Sequence, residues 1–241
     1  MTTRRVTRKQ MRRDEFVTAV GRLTDWMEGH ARETLIGIGV VVLVAVGVIL
    51  VFRFLGQREE KASLLLARGI EMLHAPVGGA GSSPAGSGGL TYASEEEKQR
   101  AVQDQMDAVL QTYPRSEAAR LAVYYKGLSL ASSGKPREAA ESLRTFLTAN
   151  PDSFVAPMAR MALAQALEAS GERAKALEIY EELSRHPKGN YPAEAALFEM
   201  GRCLEREGKV DEARKVYERI TREHPGSDYS READLRLKDL S

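Results

Sequence analysis

Four histidines, one cysteine and a few adjacent acidic pairs are the side chains of this 241-residue sequence whose types could do chemistry. Histidine can move protons or ligate zinc, a thiolate can attack a carbonyl, and two carboxylates can divide acid and base roles. Each of these needs partners at set spacing. His30, His74, His186 and His224 are far apart and none lies in an HExxH frame. His186 and His224 directly precede Pro187 and Pro225, where a cation at a helix carboxyl end favours the dipole without any catalytic role. Cys203 is alone, which excludes an internal disulfide and a four-cysteine metal site, and a buried small hydrophobe is its simplest role. Glu181 and Glu182 sit in a charged helix face with nothing to tune them. Residues 77–89, VGGAGSSPAGSGG, hold six glycines, but no Gly-Lys-Ser/Thr ends them and no apolar strand precedes them. They read as a flexible insertion between helices and not as a phosphate cradle. No Gly-x-Ser-x-Gly or dinucleotide fingerprint is present. The expectation is a protein that is not an enzyme and takes no cofactor or metal.

The elements that would position any site begin with Leu35 to Phe52, an uninterrupted apolar run of 18 residues without a charge or proline. As a helix it rises about 27 Å, most of a bilayer core. A buried core helix would keep a polar stripe, and this one is apolar on every face. A cleaved signal peptide fits poorly, because the segment before the run is too long and VFRFLGQREE offers no small-x-small cleavage site. Residues 1–34 carry Arg4, Arg5, Arg8, Lys9, Arg12, Arg13, Arg22 and Arg32, and basic residues resist translocation. The amino terminus therefore stays cytoplasmic and the rest is exported. The net charge of +1 conceals nine basic and five acidic side chains in residues 1–53, against 26 and 29 in residues 54–241. Phe16, Val20, Leu23 and Trp26/Met27 follow amphipathic helical spacing ahead of the membrane. Beside a spanning helix, this basic arm is expected to contact lipid and not nucleic acid.

Residues 57–75 resume helical periodicity, and helices continue to the end with no convincing strand. An internal interval of 37 residues organises them. Ser116, Ser153, Asn190 and Ser227 recur at it as candidate helix caps. Gly134, Gly171 and Gly208 mark where each first helix reverses, Ala139, Ala176 and Ala213 open each second helix, and Leu143, Tyr180 and Tyr217 follow four residues on. Leu130, Leu167 and Leu204 form a fifth column, and Pro114, Pro151, Pro187 and Pro225 close the units. The unit is a helix hairpin, and such hairpins are stable only when stacked.

These columns resemble the tetratricopeptide family: Gly127 and Gly201 stand at its small first-helix position, followed by Leu130 and Leu204, Ala139 and Ala213, then Pro151 and Pro225. The middle unit departs with Ala164 and an early proline, the usual tryptophan is absent, and the interval is 37 where 34 is common. The resemblance implies an all-α fold, a single transmembrane helix followed by a tetratricopeptide-repeat α-solenoid. Its parts are a basic cytoplasmic arm (1–34), the transmembrane helix (35–54), an irregular first repeat (57–114) and the repeats proper (115–241). The last part comprises three regular hairpins and a capping helix from Tyr229 to Leu240.

The order of parts also resembles the ancillary subunit of the bacterial SecYEG translocon, which implies an inner-membrane location, a periplasmic domain, and translocon subunits, periplasmic chaperones or client chains as partners. Outer-membrane assembly lipoproteins and the division coordinator of the Tol-Pal system carry similar repeats, but the first lack a spanning helix and the second is released by signal cleavage. A self-associating structural role, with a second copy as partner, is the further alternative. Ligands of the family lie on the concave wall made by first helices. By register that wall presents Tyr124, Met161 and Phe198, with Leu128, Gln165 and Arg202 one turn on. This aromatic, methionine, aromatic series suits an amphipathic protein segment; the same residues at Tyr124 and Phe198 would equally fill core between hairpins.

Overall fold

A computed structural model describes residues 31–78, 90–185 and 191–240. The arm with Phe16, Val20, Leu23 and Trp26/Met27, most of the glycine-rich loop, and His30, His186, Pro187 and Asn190 lie outside the described residues. The chain forms two compact units, Met1–Gln57 and Arg58–Ser241.

Eighteen apolar residues in succession have no polar side chain to oppose helix formation, and they form part of α1 (Ala31–His74). In the first unit the apolar side chains of α1 are exposed along the whole run, from Leu35 at 70% to Phe52 at 70%. Their mean hydropathy is 3.2 and none of that window is buried, whereas the core helix of a soluble domain would be mostly hidden. The helix is long and apolar enough to cross a membrane. It does not break where the spanning segment was expected to end, since Phe54, Leu55 and Gly56 remain helical.

In the second unit, the carboxyl-terminal part of α1 is followed among the described residues by α2 (Glu95–Thr112), α3 (Glu117–Ser132), α4 (Pro136–Ala149), α5 (Ala156–Ala169), α6 (Arg173–Arg185), α7 (Ala193–Arg206), α8 (Val210–Glu223) and α9 (Asp228–Asp239). From α2 onward each packs on the next, and α3 also touches α5 as α7 touches α9. This is a stack of hairpins, α3–α4, α5–α6 and α7–α8, with α9 closing one end. No strand occurs among the described residues, only one isolated bridge between Val77 and Tyr92.

The 37-residue columns have mechanical roles. Gly134, Gly171 and Gly208 adopt φ of +70°, +92° and +74°, a region closed to side-chain-bearing residues without strain. Their N–H groups donate to Ala131, Glu168 and Glu205. The following residues, Lys135, Glu172 and Lys209, donate to the carbonyls of Leu130, Leu167 and Leu204 at 3.0, 2.8 and 3.0 Å. That pair of bonds is a Schellman motif, repeated three times. The same three leucines are buried, so each serves as core through its side chain and as turn acceptor through its backbone. Ala139, Ala176 and Ala213 are fully buried, as are Leu143, Tyr180 and Tyr217. The two outer hairpins approach so closely that a Cβ on Gly127 would come within 2.8 Å of Leu143 Cγ, and one on Gly201 within 2.6 Å of Tyr217 Cε1.

The cap column holds only in part. Ser116 and Ser227 accept hydrogen bonds from the N–H groups of Ala119 and Ser230. Ser153 does not cap: α5 begins at Ala156 after Val155, which offers no side-chain acceptor. What persists at Ser153 is the turn behind it. Its N–H donates to Asn150, as Ser116 donates to Tyr113 and Ser227 to His224. In the middle unit a second turn then follows, with Ala156 N–H donating to Ser153, and it delays the helix by two residues relative to α3 and α9.

Within the second unit, the irregular first repeat is joined to α3 through the carboxyl-terminal part of α1. Ala62, Leu66 and Met72 pack with Val102, Met106 and Val109 of α2 and with Ala118, Ala119 and Ala122 of α3. Glu59 accepts from the N–H groups of both Glu117 and Ala118 at 3.1 Å, so its carboxylate satisfies two orphan donors at the positive end of α3. Arg58 donates to the Thr112 carbonyl at 3.4 Å, at the negative end of α2.

Candidate functional site

Residues four apart on one helix share a face, so each first helix presents an inner and an outer position toward the groove. The inner ones are Tyr124, Met161 and Phe198, and all three are buried, at 7%, 4% and 7% exposure. The Tyr124 ring stands 5.6 Å from Phe146 of α4, and Phe198 stands 5.7 Å from Tyr217 of α8 and 5.6 Å from Tyr229 of α9. These side chains form the floor between hairpins. The outer positions differ: Gln165 is exposed, while Leu128 and Arg202 are half-buried.

Two open recesses adjoin along this face, and Gln165 lines both. One, of about 630 Å³, is bordered by Leu73, Lys98, Leu128, Ala162, Gln165 and Ala169. The other, of about 380 Å³, is bordered by Gln165, Glu168, Arg173, Glu199, Arg202 and Arg206. The first mixes apolar walls, such as Leu73, Leu128 and Ala162, with the ion-paired Lys98 and Glu95, and the second is mostly charged. The register thus brings Leu128, Gln165 and Arg202 to the two recesses, while Tyr124, Met161 and Phe198 lie beneath.

The charged recess contains a network absent from the sequence-based expectation. Glu168 is only 8% exposed. It is ion-paired with Arg206 of the next hairpin and accepts a hydrogen bond from Tyr180 Oη at 3.4 Å. The hydrogen bond to Glu168 is the main cause of the raised pKa of Arg206. Burial first, and then the Glu168 carboxylate, push the Tyr180 phenol well above its ordinary value. Arg202 pairs with Glu199 at 3.1 Å, and Arg173 Nε is buried without a partner. The available signal was the interval itself, since Glu168 and Glu205 are 37 apart, as are Tyr180 and Tyr217.

Among the described residues no three His, Cys, Asp or Glu side chains gather as a metal site would require. His224 closes α8 and has Nδ1 at 3.5 Å from Glu194. Cys203 is fully buried, and burial pushes its thiol up to about 11. The arrangement offers apolar surface beside paired charge in open recesses.

Residues 25–241 match the family model described as a tetratricopeptide repeat-like domain. No curated relative matches the chain. Among solved structures, a tetratricopeptide repeat protein from Parabacteroides merdae is similar with a TM-score of 0.53 and 15% identity, over 75% of this chain and 60% of its own. The present chain thus spans about three-fifths of that protein's length. The nearly identical tetratricopeptide-like repeats of a Podosopora anserina chain described as a kinesin light chain align at TM-score 0.48 and 17% identity, over 59% of this chain and 77% of that one.

Proposed function

Because the chain belongs to the tetratricopeptide repeat-like domain family, we propose that it is a membrane-anchored scaffold that holds other proteins on the face formed by α3, α5 and α7. The observation that carries this reading is the pair of adjoining open recesses, one of mixed apolar and polar lining and one mostly charged, with Gln165 shared between them. An amphipathic segment with apolar residues at one end and charged ones at the other matches that gradient. Leu128, Gln165 and Arg202 are the contacting side chains in this reading, and Tyr124, Met161 and Phe198 set the spacing of the floor beneath them.

The anchor is Leu35–Phe52. Its uniform exposure supports lipid as its solvent, since water would penalise so much apolar surface. The basic arm before it supports a cytoplasmic amino terminus and an exported, periplasmic repeat domain. With that topology the partners are translocon subunits, periplasmic chaperones or client chains.

A photoreactive residue placed at Gln165 of the full chain in cells tests this. Expected are adducts with translocon or chaperone components, reduced by Arg202→Glu with unchanged helical circular dichroism. Adducts to lipid alone, or only to a second copy of the chain, would overturn the partner assignment.

A further inference from the structure

We propose that Arg173 anchors a carboxylate site in the charged recess, and that the site takes an aspartate or glutamate side chain from the protein segment held on the face of α3, α5 and α7. This deepens the scaffold reading above and rests on it.

The recess of about 380 Å³ brings together three guanidinium groups, Arg173, Arg202 and Arg206, and two carboxylates, Glu168 and Glu199. Both carboxylates are taken. Glu168 is ion-paired with Arg206, and Glu199 pairs with Arg202 at 3.1 Å. Arg173 makes no hydrogen bond and no ion pair among the described residues, and its Nε is closed off from solvent without an acceptor. A guanidinium is permanently charged, so the recess holds one cation more than its anions can match. Polar groups withdrawn from water are normally paired, and here the missing partner is an acceptor that carries negative charge.

The repeat does not require this cation. Arg173 opens α6, and the residues 37 positions before and after it, Pro136 and Val210, open α4 and α8. The turn ahead of each is closed by a glycine and a leucine carbonyl, with no side-chain charge involved. In the first hairpin Leu128 and Ser132 occupy the register of Arg202 and Arg206. The surplus charge therefore belongs to the junction of the middle and third hairpins and not to the construction of a hairpin.

The size of the surplus selects the occupant. One carboxylate neutralises it, whereas a phosphate dianion would overshoot and face Glu168 and Glu199. The planar carboxylate also matches the fork of a guanidinium. A side chain can reach down to Arg173 while its backbone stays at the rim. A chain terminus would instead draw its last peptide N–H groups into a recess whose carboxylates are already paired. Gln165 borders both recesses, so the same segment can rest apolar side chains on Leu128 and Ala162 in the other.

The test measures fluorescence anisotropy of labelled amphipathic 14-residue peptides, blocked at both ends, on the detergent-solubilised full chain. The peptides carry leucines at helical spacing toward one end and, toward the other, a single Glu or Gln; a further Gln peptide has a free carboxyl terminus. The Glu peptide should bind about tenfold more tightly than the blocked Gln peptide. Arg173→Met keeps the apolar stem and should reduce that preference to less than about twofold, with unchanged helical circular dichroism and unchanged binding of the Gln peptide. Equal binding of the two blocked peptides, or a Glu preference that survives Arg173→Met, overturns the carboxylate site alone. Tightest binding by the free-terminus peptide overturns the side-chain assignment. Binding by none of the peptides overturns the scaffold face and this inference with it.

Discussion

In the third hairpin, α7 meets α8 across Gly201, where a Cβ would approach Tyr217 Cε1 to 2.6 Å. In the middle hairpin, α5 presents Ala164 to α6 at the same register, with Tyr180 as its aromatic partner. Both rings are fully buried. Their hydroxyls fare differently. Tyr180 Oη donates to Glu168 at 3.4 Å, whereas Tyr217 Oη faces Glu205, which after burial raises its phenol, but the two make no hydrogen bond of good geometry. Room given to a methyl at 164 is room that the Tyr180 ring cannot take. The contrast teaches that the repeat fixes the kind of contact, aromatic against small, while the depth of each contact is settled pair by pair. In the middle hairpin Tyr180, Glu168 and Arg206 form a network that joins it to its successor.

Exchanging the small residues is the strongest way to break this contrast. Gly201→Ala should destabilise by about 1–3 kcal/mol through overpacking against Tyr217, even though alanine favours an exposed helix by about 1 kcal/mol over glycine. Ala164→Gly should cost only about 1 kcal/mol. Urea titrations of the detergent-solubilised chain, followed by circular dichroism, check both. A more stable Gly201→Ala would mean that Tyr217 has slack, and the distinction between the hairpins would collapse.

Next in size is Arg206→Ala, which leaves the buried Glu168 carboxylate with Tyr180 alone. Removing one partner of a buried pair can cost 3–5 kcal/mol, but Arg206 is 47% exposed, so about 1–2 kcal/mol is expected. Arg236→Ala, which removes the 3.9 Å neighbour of Glu205, should cost about 0.5 kcal/mol or less in the same titration. Equal losses would show that the two networks are equivalent.

The smallest effect is alkaline. Cys203 of the third hairpin is buried in the cluster that holds Tyr180, and its thiol is raised from an ordinary 9.0 to about 11, first by burial and then by Glu168. The fold favours the neutral thiol, so this contribution is complete below pH 9 and disappears as the pH climbs toward 11. Cys203→Ala should flatten that part of the melting temperature's decline. A thiol reagent at pH 8 should label the folded chain far more slowly than the urea-unfolded one.

Much of the scaffold was legible because each column reflects a local demand. Gly134, Gly171 and Gly208 answer to a positive φ, and Leu130, Leu167 and Leu204 answer to burial, whatever surrounds them. Ser153 was misread because a cap depends on where the helix starts, and the extra turn at 153–156 depends on packing that the column does not encode. In the candidate site, register brought Leu128, Gln165 and Arg202 to the groove, yet it could not fix how deep the inner positions lie. That depth depends on Phe146, Tyr217 and Tyr229, which are contributed by other helices. Apart from its interval to Glu205, nothing in the sequence marks Glu168 among the other helix charges, and its role comes from Tyr180 and Arg206, which the fold places beside it.

The carboxylate of Glu59 also bears on how the polypeptide should be trimmed for the laboratory. An excised version that begins at the glycine-rich insertion, or at α2, would keep every regular hairpin and still deprive α3 of the acceptors for Glu117 and Ala118. Its leading edge would fray, with apolar Ala62 and Leu66 missing from the wall behind it. The natural cutting point lies upstream of Arg58, within a few residues of the greasy rod itself.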